Sequence, residues 1–159
     1  MDNVNVLRVG FFAPDFSLPD TSGEIFSLKE NLRENLVAVC FFPAYPDEKI
    51  KGYLRDLNTG LPPTSSGVPI KVVGITPEKT GAAATLKRNL KLEFPVLSDQ
   101  KLIISGKYYL VDSDSFHTSV HFSIFLIDEE RVIRHRVSEH AGFSEYNPKR
   151  FREIISKIL

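Results

Sequence analysis

Apolar residues in this chain occur either in continuous or alternating runs or at every third to fourth position, and the switches between these spacings predict its elements. Phe11 to Leu18 alternates apolar and polar side chains, Asp20-Thr21-Ser22-Gly23 carries turn chemistry, and Glu24-Ile25-Phe26-Ser27-Leu28 returns as a second short strand, a small β-hairpin. The run Leu36-Val37-Ala38-Val39-Cys40-Phe41-Phe42 is almost wholly apolar and stops at Pro43. A strand covered on both faces reads this way. From Asp47 onward, Ile50, Tyr53, Leu54 and Leu57 recur with the spacing of a helix that buries one stripe.

Asn58 to Pro69 is rich in Gly, Pro, Ser and Thr and predicts a loop. Ile70 to Ile75 predicts a second buried strand. Thr76-Pro77-Glu78 then predicts a helix start, with a hydroxyl cap and proline at the first helical position, running to about Leu90. Phe94 to Asp99 leads into another helical segment ending near Gly106, and a loop is expected from Asp112 to His117. Val120 to Ile127 and Arg131 to Val137 predict a hairpin around Asp128-Glu129-Glu130. Asn147-Pro148 opens a last helix whose Phe151, Ile154, Ile155, Ile158 and Leu159 share a face. This order predicts an α/β fold: a central mixed sheet, parallel in its first half and antiparallel in its second, flanked by helices and preceded by the N-terminal hairpin.

Composition narrows the function. The 159 residues suit a single domain, 1–159, able to bury a core without disulfides or metals. Lys plus Arg and Asp plus Glu number 20 each, with no basic run, which argues against nucleic acid as a partner. The first residues show no basic stretch followed by an apolar run, so the expectation is a cytoplasmic protein without a membrane anchor. Cys40 is the one cysteine and excludes an intramolecular disulfide, a CxxC pair and a multi-cysteine zinc site. His117 and His121, and His135 and His140 with Glu139 between them, have spacings too loose on strands and loops to predict a metal. No cofactor is expected.

Several segments together resemble the peroxiredoxin family, the alkyl hydroperoxide reductase and thiol-specific antioxidant group, nearest in style to its bacterioferritin-comigratory branch. They are Gly10-Phe11-Phe12-Ala13-Pro14-Asp15-Phe16-Ser17-Leu18-Pro19-Asp20, Val39-Cys40-Phe41-Phe42-Pro43, Val73-Gly74-Ile75-Thr76-Pro77, Phe94-Pro95-Val96-Leu97-Ser98-Asp99 and Phe125-Leu126-Ile127-Asp128, in the family's order across most of residues 8 to 137. The resemblance implies a thioredoxin-like fold. It also implies a chemistry: a Pro-x-x-x-Thr/Ser-x-x-Cys stretch puts a thiolate in the first turn of a helix, where the helix N-terminus and an arginine lower its pKa and hold the peroxide.

This sequence departs from that pattern. Counting from Pro43, the threonine position falls on Asp47 and the cysteine position on Ile50; with a loop two residues shorter, anchored on Tyr45-Pro46, the cysteine position falls on Glu48. Neither is a thiol. Aligning on Phe125 to Asp128 puts Phe122 at the arginine position, with His121 the nearest titratable substitute. Asp47 and Glu48 read most simply as first-turn carboxylates that favour the positive end of a helix; in a sharper reading, Tyr45, Glu48 and Phe122 line a remodelled pocket. Cys40, inside an apolar strand, reads as a small buried hydrophobe. Three functions follow in order: a redoxin-like protein that has lost peroxidase activity and serves as a binding or interaction module; a one-cysteine thiol peroxidase using Cys40 and an external reductant; and a small-molecule binder in the former peroxide pocket. An unidentified protein partner or small ligand is expected, and the resemblance also implies a homodimer.

Overall fold

The computed structural model describes residues 6–113, 118–140 and 142–159. Near the N-terminus, β1 (Ser17–Pro19) and β2 (Ile25–Ser27) pair antiparallel as the expected hairpin. The Asp20 carboxylate closes its turn by accepting the backbone N–H groups of Ser22 and Glu24. Ser27 caps the short α1 (Leu28–Asn31). The apolar run becomes β3 (Leu36–Phe41), buried along its whole length. Its even-numbered residues face one core and its odd-numbered residues the other, as a strand's two-residue period requires.

Asp47 caps α2 (Glu48–Asn58), with Ile50, Leu54 and Leu57 buried on one stripe. Next come β4 (Ile70–Thr76), α3 (Thr80–Leu90), β5 (Val96–Ser98), α4 (Ile103–Lys107), β6 (Val111–Ser113), β7 (Thr118–Val120), β8 (Ser123–Ile127), β9 (Ile133–Ser138) and α5 (Pro148–Ser156). The main sheet has the order β5-β4-β3-β8-β9. The first three strands run parallel, while β8 and β9 join them antiparallel. This is the mixed thioredoxin-like sheet expected from the sequence. One face packs Ala38, Cys40, Ile124 and Leu126 against α2 and α5. The other packs Val39, Phe41 and Phe125 around Tyr108, whose hydroxyl donates to the Pro14 carbonyl at 2.6 Å.

The structure corrects three local expectations. Thr76 is the last residue of β4, paired with Ser98, and α3 begins only at Thr80 behind Lys79. Sheet pairing holds Thr76 extended, and its buried hydroxyl caps nothing. Val120 belongs to β7, paired with β6 in a separate hairpin, instead of opening β8. Leu159 is exposed because α5 ends at Ser156 and the chain leaves the helical path before reaching it. Residues 114–117, His117 among them, lie outside the described residues. Among the described residues, no helix is long and apolar enough to cross a membrane.

Candidate functional site

The carboxyl end of β3 meets the amino end of β8 and the carboxyl end of β9, because Phe41 pairs with Ser123 and Ser123 with Ser138. The loop that leaves β3 therefore turns over the same edge of the sheet at which β8 begins. Pro43 ends the strand and is half-buried, and Pro46 leads into Asp47. The Asp47 carboxylate accepts the Ile50 backbone N–H at 2.9 Å, a satisfied helix cap. Glu48, the first residue of α2, points to solvent with Lys51 at 3.5 Å. Ile50 turns inward and is buried. The positive end of α2 thus carries carboxylates and a core aliphatic, and whichever register is chosen it offers no sulfur.

Cys40 lies two residues upstream of this turn and wholly inside the sheet, with Gly74 and Ile124 as its strand partners. Burial alone pushes its thiol far above the ordinary range. A cysteine so placed is neither a thiolate nor reachable.

Phe122 is buried, its ring centroid 5.1 Å from Tyr53, which in turn lies 5.2 Å from Tyr146. Behind these rings the Tyr146 hydroxyl donates to Asp56 Oδ2, and Arg152 reaches the same carboxylate oxygen at 2.9 Å. An aromatic plug occupies the place where the resemblance implies a cation. His121 sits beside it with Nε2 3.1 Å from Asp112 Oδ2 and its ring 4.9 Å from that of His140. Burial, then His121 and Arg136, lower the His140 pKa. Lys49 extends from the first turn of α2 to Glu139 at 3.2 Å and Glu145 at 3.5 Å. Among the described residues, no group of three or more His, Cys, Asp or Glu side chains is placed to hold a metal ion.

The expected pocket of Tyr45, Glu48 and Phe122 does not form. Tyr45 is 89% exposed and holds a left-handed backbone (φ 52°), Glu48 faces water, and Phe122 is consumed by the core. Tyr45 instead lines a groove of about 450 Å³ between α2 and α3, with Lys51, Glu78, Ala82, Thr85 and Leu86. The sequence reading missed Glu78, having assigned it to a helix start. The available signal was its position just past the carboxyl end of a parallel strand, where open α/β sheets place their ligands.

The AhpC/TSA family pattern matches residues 9–136. The chain belongs to the AhpC/TSA family. Within that family it is 30% identical to peroxiredoxin Bcp of Escherichia coli over 139 residues, covering 83% of this chain and 86% of that one. Among solved structures, peroxidoxin BcpB of Mycobacterium tuberculosis superposes with a TM-score of 0.72 at 23% identity, covering 83% of this chain and 86% of the other. A yeast mitochondrial 1-Cys peroxiredoxin superposes with a TM-score of 0.74 at 17% identity, covering 94% and 75%. The AhpC/TSA match therefore runs from just before the hairpin into β9.

Proposed function

We propose that this AhpC/TSA family protein has lost thiol peroxidase activity and works as a binding module. The observation that supports this reading is the position of Cys40, the single thiol, which is fully buried in the central strand and held protonated by its surroundings. Peroxide reduction by a cysteine needs a thiolate that attacks one peroxide oxygen, forms a sulfenate and expels the other oxygen as an alcohol or water after protonation. The attack also needs positive charge at the leaving oxygen. Here the sulfur lies buried in the core between the sheet and helices α2 and α5, the first turn of α2 carries Asp47, Glu48 and Ile50, and Phe122 stands where the resemblance implies an arginine.

The deciding measurement is intact-protein mass spectrometry after treatment with near-stoichiometric hydrogen peroxide and a sulfenate trap. The expected result is an unmodified Cys40 and no peroxide consumption with dithiothreitol or thioredoxin as donor. Trapping of a sulfenate at Cys40, with turnover above the buffer rate, overturns the reading in favour of a one-cysteine peroxidase.

A further inference from the structure

The last helix opens Asn147-Pro148-Lys149-Arg150, with no acidic residue in its first turn. Two cations therefore stand at the positive end of the helix macrodipole, where carboxylates are favoured and cations are not. His135 of β9 packs against this end. Its ring centroid lies 5.8 Å from that of Phe151, the buried residue that follows Arg150. The imidazole is itself only half-buried, and it lines a cavity of about 70 Å³ together with Ser144, Asn147 and Arg150, so water and a proton can reach it.

We propose that His135 is an acid-sensitive latch on α5: as a neutral ring it packs against Phe151 and holds the helix on the sheet, and as an imidazolium it loosens the helix's amino-terminal half. The groups around the ring set the direction. From α5 the charge that faces it is Arg150, and burial, then Arg150, lowers the His135 pKa. From the segment before α5, Glu145 lines the same cavity but is drawn to Lys49 at 3.5 Å. From β8, the residue across the ladder is the apolar Leu126. On β9 itself, Arg134 lies 3.5 Å from Asp128, and Arg136 packs over Phe125 in the core on the other face of the sheet. A lowered value in the docked state means that the ring takes up its proton more readily once the helix lifts. The contribution of His135 to docking is therefore complete above the ordinary imidazole value of 6.5 and is lost as pH falls below it. Phe151, Ile155 and Ile158 belong to the core that contains Cys40, so the latch controls how firmly that core is covered.

The latch goes beyond the binding-module reading and does not depend on it. Amide hydrogen exchange of the full-length protein, followed by NMR, is the test. Protection factors for Arg152 to Ser156, corrected for the intrinsic pH dependence of exchange, should fall about threefold or more between about pH 7.5 and about pH 5, yet those of β3 should stay higher at both. The fall should vanish in His135→Leu, which takes up no proton, and His135→Gln gives the same reading should the leucine variant fold poorly. Arg150→Glu, at an exposed first-turn position, sets a carboxylate where the ring now meets a cation and should shrink the fall. A purely structural ring would instead shift α5 protection by the same factor at both pH values. Unchanged α5 protection in the parent, a fall that survives replacement of His135, a fall that Arg150→Glu leaves at full size, or α5 and β3 exchanging together at the lower pH overturns the latch.

Discussion

The environment of Cys40 is set by a few atoms, and Gly74 directly across the β3–β4 ladder shows how tightly. A Cβ built on Gly74 would lie 3.1 Å from the Phe42 ring and 3.3 Å from that of Phe94. A larger residue there must push back two aromatic rings that lie close over the strand. Replacing Gly74 by Ala should destabilise the protein by about 1–3 kcal/mol through overpacking, read as a lower urea midpoint at unchanged slope. A neutral result would mean that the rings withdraw easily, and that the layer over the Cys40 strand pair is looser than the structure shows.

Among the elements, α2 carries the departure from the family's cysteine pattern, and substitutions across its first turn are not equivalent. Glu48 is exposed at the positive helix end, so Glu48→Cys should fold normally and give a thiol more acidic than an ordinary cysteine, measurable from the pH dependence of iodoacetamide alkylation. Ile50→Cys would place the thiol in the core instead. Phe122→Arg, the other half of a restored site, buries an unpaired charge between Tyr53 and β8 and should cost on the order of 3–5 kcal/mol. The expected outcome is that Glu48→Cys alkylates readily yet consumes no peroxide, whereas the double variant with Phe122→Arg melts well below the parent. Peroxide turnover by Glu48→Cys alone would show that the helix end suffices without a cation.

For the molecule as a whole, buried acidic protons make alkaline pH the vulnerable side. Cys40, with an ordinary value of 9.0, and Tyr108 and Tyr146, with ordinary values of 10.0, all have their pKa values raised, chiefly by burial and for Tyr146 also by Asp56. A raised folded-state value means that the unfolded chain releases its proton first. The stabilisation is therefore complete below about pH 9 and declines as pH rises, by up to roughly 1.4 kcal/mol per pH unit for each group whose unfolded form has ionised. Arg136, pushed down to about 10 by burial and then by Arg8, works in the opposite sense, but one group stands against three. Urea midpoints should accordingly be flat near neutrality and fall between pH 9 and 10.5. A midpoint that holds or rises across that interval would contradict the burial of these groups.

What the sequence determined by itself is the scaffold, because periodicity is a local property. The run from Leu36 to Phe42 could satisfy its apolar surface only between two layers, and Ile50, Leu54 and Leu57 only on one helical face. The absence of a thiol at Asp47, Glu48 or Ile50 was equally legible, since it needs no coordinates. Tertiary structure alone decided where Thr76 stops being strand, since the pairing with Ser98 outweighed a good cap signal. It also decided that Phe122 joins Tyr53 and Tyr146 in the core while Tyr45 turns to the groove between α2 and α3. Burial and hydrogen-bond satisfaction depend on residues far apart in the chain, such as Tyr146 against Asp56, and no local pattern encodes which of them meet.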